Sequence, residues 1–98
     1  METKKVSYKE FYNARNEMQK ELDEGSAILF PDKKYRRYVE IDADAYHNQP
    51  IESRVNWSAL GAVPTETAIA YAQLLTLAAE LAENFQYNGY VIDWSDED

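Results

Sequence analysis

The stretch from Thr65 to Phe85 constrains this chain more than any other. Gly61 to Pro64 breaks the segment before it, and Thr65 is placed to cap a helix of roughly 30 Å. The polar stripe of that helix is narrow, consisting of Glu66, Gln73, Thr76, Glu80 and Glu83. On one flank stand Ile69, Ala72, Leu75, Ala79 and Ala82, and on the other Tyr71, Leu74, Ala78, Leu81 and Phe85. Such an arc is wider than one sheet face covers. Its small residues let a second backbone approach closely, so tight packing on a sheet and on another helix is expected. Any part left uncovered is a surface through which the chain can meet a copy of itself as a homodimer.

The remaining elements follow from local signals. Ser7 with Glu10 three residues on is a capping box, and Val6 is placed to staple against Phe11, so a helix starts here. Phe11, Ala14, Met18 and Leu22 form its apolar stripe, and Gly25 is expected to end it as a C′ residue. Ser26 to Phe30 reads as a short strand closed by Pro31-Asp32. Tyr35 to Ala43 alternates, with Val39 and Ile41 on one side and Glu40 and Asp42 on the other. Ile51 to Ala59 alternates again, with Ile51, Ser53, Val55, Trp57 and Ala59 on one face. Asn88-Gly89 turns the chain into a closing strand, Tyr90 to Trp94. The order predicted is α-β-β-β-α-β: an α+β fold with a small antiparallel sheet of three to four strands and two helices. Residues 1–94 are expected to form one domain, and 95–98 an acidic C-terminal tail.

Composition bounds the function. A single domain of 98 residues has a thin core, burying about 60 to 65% of its unfolded surface. With no cysteine, a disulfide framework, a thiolate metal site and a cysteine nucleophile are all excluded. No apolar run reaches the roughly 18 residues of a membrane span, and the first residues lack the apolar core of a signal peptide, so a cytoplasmic location is expected. The Asn56-Trp57-Ser58 triplet matches a glycosylation acceptor but falls in a predicted strand.

Charge is distributed unevenly. Residues 1–54 hold all 10 Lys and Arg and 11 of the 18 acids, a sum of −1. Residues 55–98 hold the other seven acids and no Lys or Arg, and together the halves give −8. A purely anionic half attracts basic surfaces and repels phosphate. Its acids, Glu66, Glu80, Glu83, Asp93, Asp96, Glu97 and Asp98, are therefore the candidate partner-binding residues. Tyr87, Tyr90 and Trp94 join them as aromatic anchors.

Other chemistries have weaker support. His47 is the only histidine, and beside Asp42 and Asp44 it lacks the ligand spacing of a calcium loop. No nucleophile elbow or phosphate-loop glycine motif exists, so no enzyme, metal or cofactor is expected. Lys33, Lys34, Arg36 and Arg37 alternate with Tyr35 and Tyr38 in the manner of a single-strand nucleic-acid platform. A net anionic molecule opposes that role, and direct nucleic-acid binding ranks third.

One stretch carries a resemblance. Val55-Asn56-Trp57-Ser58-Ala59-Leu60-Gly61, then Pro64-Thr65-Glu66-Thr67-Ala68 and the alanine-rich helix, resembles small uncharacterised proteins of bacteriophages and prophages. It covers about a third of the chain, its motif is structural, and no functional residue carries over. The resemblance implies an accessory gene product, of a kind that includes inhibitors of host nucleases and of CRISPR effectors, some of which imitate nucleic acid. The favoured function is accordingly non-enzymatic docking of the anionic C-terminal half on a basic partner surface. A self-associating structural or regulatory module built on the alanine-rich helix is the alternative.

Overall fold

The computed structural model describes residues 3–45, 48–58 and 60–96, the side chains of Arg37 and Asp96 excepted. It is an α+β fold with two helices. The chain runs through β1 (Lys5–Ser7), α1 (Tyr8–Leu29), a single 3-10 turn (Arg36–Tyr38), β2 (Val39–Asp44), β3 (Glu52–Trp57), α2 (Thr65–Glu83) and β4 (Val91–Asp93). A second 3-10 turn, Trp94–Asp96, follows.

The first helix starts where the capping signal places it, with the Glu10 N–H donating to Ser7 Oγ at 3.2 Å. Val6 does more than staple. It lies in β1 opposite Ile92 of β4, and both are buried with Phe11 in the core. Three residues gave too little alternation for that strand to be legible.

Gly25 does not end α1, and Ser26 to Phe30 is not a strand. The helix continues through Leu29, and Ser26 is buried on its core face. The reason is tertiary: a Cβ at Gly25 would run into the Leu77 Cδ2 of α2, so the glycine admits the second helix. That contact outweighs the roughly 1 kcal/mol propensity cost of glycine inside a helix. Arg36 then folds back on the helix end, donating through Nε to the Phe30 carbonyl at 2.8 Å and through Nη2 to those of Ala27 (3.4 Å) and Pro31 (3.3 Å). This closes the predicted Tyr35 strand start into a turn, so β2 begins only at Val39.

From there the alternation holds. Val39, Ile41 and Ala43 are buried while Glu40 and Asp42 are exposed, and β2 pairs antiparallel with β3 from Val39↔Trp57 to Asp44↔Glu52. Trp57 shares the inner face but lies at its end, 57% exposed. Ala59 lies outside the described residues.

The predicted single sheet is instead two ribbons of two strands each. β4 pairs in parallel with β1, because the turn at Gly89 (φ +87°) delivers it beside the start of the chain. The ribbons touch at Ile51, whose N–H donates to the Tyr90 carbonyl at 2.7 Å while its carbonyl accepts from Gly89 N–H at 2.9 Å. Asn88 locks this corner: its Oδ1 accepts from Ser53 N–H (3.2 Å) and its Nδ2 donates to the Ala82 carbonyl (2.7 Å).

The second helix begins at Thr65, with Pro64 rather than Thr65 at the N-cap and no side-chain cap. It runs antiparallel to α1. Phe11 meets Phe85 with ring centroids 6.1 Å apart at one end, and Gly25 meets Leu77 towards the other. Leu22 and Leu74, at 1% and 0% exposure, sit at the centre of the core between helices and hairpin. Among the described residues no helix is long and apolar enough to cross a membrane.

Candidate protein-docking surface

The antiparallel helix pair sets which acids stand together. Moving from Leu77 towards the end of α2 is moving from Gly25 back towards the start of α1. Glu24, Glu21 and Glu17 therefore share an end of the layer with Glu80 and Glu83. On α1 these three recur at spacings of three and four, which puts them on one face. They rim a shallow groove of about 660 Å³, with Met18, Leu81 and Phe85 lining its apolar part and Lys20 the cation on its rim. Asn84 and Gln86 add amides. Glu80 and Glu83 are exposed on the same end of α2 but do not line this groove, and Glu80 lines a separate hollow with Ile69, Ala72 and Thr76. An apolar floor under a carboxylate rim suits the aliphatic stem and charged head of Lys or Arg.

The acids predicted from sequence do not all meet here. Glu66 lies fourteen residues before Glu80, about 21 Å along the helix, and lines a different hollow with Leu29, Pro31 and Tyr35. Asp93 sits at the end of β4. Its Oδ1 accepts from Ser95 Oγ at 2.6 Å and from Ser95 N–H at 3.0 Å. Those two bonds hold its carboxyl below the ordinary value, with a smaller contribution from Lys5. So the half that has no cation in sequence borrows cations in space: Lys5 acts on Asp93, and Lys4 stands 5.7 Å over the Tyr90 ring.

The three aromatic anchors are partly structural. Tyr87 packs edge-on to Phe85 (6.0 Å) and to Tyr90 (5.3 Å), and Trp94 lies 5.2 Å from Tyr8. Tyr8, Tyr87, Tyr90 and Trp94 are each half-buried against the core. Asp96 belongs to the last turn, its side chain and all of Glu97 and Asp98 lying outside the described residues.

A further anionic face extends the predicted outer side of Glu40 and Asp42. Glu40, Asp42 and Asp44 alternate along the outer side of β2, and Glu52 stands opposite Asp44 on β3. Arg54 bridges to Glu52 at 2.9 Å, a bond that lowers the Glu52 carboxyl from its ordinary value. The period-two signal was present, and so was the i, i+4, i+7 spacing of Glu17, Glu21 and Glu24. Both lie in residues 1–54, where all 10 Lys and Arg mask them in any count of net charge.

The basic run is spent partly on the fold. Arg36 caps α1, Lys34 lies 5.2 Å over the Tyr35 ring, and the Arg37 side chain is outside the described residues. His47 also lies outside them, and among the described residues no three metal-ligating side chains come together. Tyr71 donates to the Ser58 carbonyl at 2.8 Å, and burial raises its hydroxyl above the ordinary value.

The site thus defines a class only as far as an acid-rimmed surface on a small α+β domain. No family model, curated protein or solved structure matches the chain.

Proposed function

We propose that this is a non-enzymatic binding protein, of the phage accessory kind, that docks on a basic surface of a protein partner. The observation that carries the reading is the convergence of Glu17, Glu21 and Glu24 on the end of α2 that bears Glu80 and Glu83, above an apolar floor. Two packed helices fix the backbone positions that carry these carboxylates, and this favours recognition of fixed Lys and Arg positions on a nucleic-acid-binding protein. The docking surface so placed keeps two acids of the anionic C-terminal half and adds three from α1.

The test is capture of partners on the immobilised full chain, comparing wild type with the combined variant Glu17→Gln, Glu21→Gln, Glu24→Gln. Bound protein should elute as salt shortens the screening length below about 10 Å, and the variant should lose it at low salt. Capture that is indifferent to the three substitutions would sink the reading. Loss on Asp93→Asn instead would move the surface to the chain's end.

A further inference from the structure

The outward face of α2 has an unusual composition for a surface. From Thr67 to Ala79 no residue is charged, yet Ala68, Ile69, Ala72, Gln73, Thr76 and Ala79 all face solvent. Ile69 is 56% exposed. Thr76 adds no polarity to this face, because its Oγ1 donates to the Ala72 carbonyl of its own helix at 3.0 Å. Ile69, Ala72, Gln73, Thr76 and Leu77, with Glu80 as the one charged residue, line a shallow hollow of about 420 Å³.

The whole molecule is also over-exposed for its size. It measures 49 × 25 × 17 Å with a radius of gyration of 15.6 Å, where a compact chain of this length has about 12.6 Å. Its accessible surface is 6973 Å², against about 5,800 Å² for a monomeric protein of equal mass. The excess, about 1,200 Å², belongs to the whole elongated chain, and it is of the order of the roughly 800 Å² that each partner contributes to a standard interface.

We infer that a second copy of this chain covers the α2 face, pairing α2 with α2 in antiparallel orientation about a two-fold axis near Leu74 and Leu75. The face is complementary to itself in that arrangement. Ala72 meets Thr76 of the second copy, and the bulky Ile69 meets the second copy's small Ala79. At the rim Glu83 reaches the second copy's Thr65, where unpaired backbone N–H groups at a helix N-terminus favour a carboxylate. A parallel arrangement would bring the Glu80 and Glu83 pairs together instead. The pairing takes up Glu83 and the hollow that Glu80 lines, two acids the docking reading also counts, while the groove rimmed by Glu17, Glu21 and Glu24 is lined by neither and stays open.

Sedimentation equilibrium of the full chain over a wide dilution series tests it. The expected result is a mass of twice 11.4 kDa at high concentration, falling to one chain on dilution. Ala72→Glu and, separately, Thr76→Lys should each give one-chain mass throughout, with helical circular dichroism unchanged because both positions face solvent. Trp57→Glu, an exposed aromatic elsewhere, should leave the dimer intact. Energy transfer between chains labelled at Thr65→Cys and chains labelled at Glu83→Cys should exceed that between two Glu83→Cys chains. A one-chain mass at every concentration, or a dimer that survives both helix variants, overturns the inference. Stronger transfer between the two Glu83→Cys chains overturns its antiparallel geometry.

Discussion

The two helices share one core and face solvent in opposite styles. Helix α1 carries eight charged residues in 22, whereas α2 carries three in 19, all within its first and last turns. Their inner faces are equivalent, with Leu22 and Leu74 buried to the same degree. The difference lies in the outer faces: α1 presents charge to solvent, whereas α2 presents a face uncharged from Thr67 to Ala79. A core requirement alone would have no reason to leave thirteen successive uncharged residues on a half-exposed helix.

The largest predicted effect probes the shared part of this comparison. Leu74→Ala and Leu22→Ala should each destabilise the chain by about 3 kcal/mol in urea unfolding, since both leave cavities at the core centre. Ile69→Ala, measured under dilute conditions, should change stability by less than about 0.5 kcal/mol. Equal losses at Ile69 and Leu74 would mean that the outer face of α2 is core after all.

Next comes the contact that joins the helices. Gly25→Val should cost about 1–3 kcal/mol by overpacking against Leu77. Adding Leu77→Ala should recover much of that loss, and a double-mutant cycle reads the coupling directly. If the two substitutions are simply additive, the glycine is not there to admit α2.

The smallest effect concerns the chain's end. Ser95→Ala removes the hydroxyl bond to Asp93 and leaves the backbone one, so the Asp93 titration followed by NMR should move up towards the ordinary carboxylate range. The sign for stability follows from the depressed value in the folded chain. The contribution of Asp93 is present above its unfolded value of about 3.9 and is lost as pH falls through the lower folded value. An unmoved titration would mean that the Ser95 hydroxyl does not set it.

Local signals carried much of the fold. The Ser7 cap, the alternation of Val39, Ile41 and Ala43, the span of α2 and the turn at Gly89 were all legible, because each is decided within a few residues. What failed was decided at long range. Gly25 has the local meaning of a helix end, and only the arrival of Leu77 gives it another. Arg36 has the local meaning of a strand residue, and only the nearby carbonyls of Ala27, Phe30 and Pro31 turn it into a cap. β4 was legible as a strand but not its partner, since parallel pairing with β1 joins residues more than eighty apart in sequence. The candidate surface was half visible for the same reason. Glu80 and Glu83 stood out in an anionic half, while Glu17, Glu21 and Glu24 join them only through the antiparallel crossing of the helices.

The central claim is that these acids act together as a docking surface, and it is tested most directly by an NMR titration of the full chain with a short arginine-rich peptide. Backbone shifts concentrated at Glu17, Glu21, Glu24, Leu81, Asn84 and Phe85, fading as salt is added, are the predicted result. Shifts centred on Glu40, Asp42 and Asp44 of the hairpin, or spread evenly over every exposed acid, would contradict it.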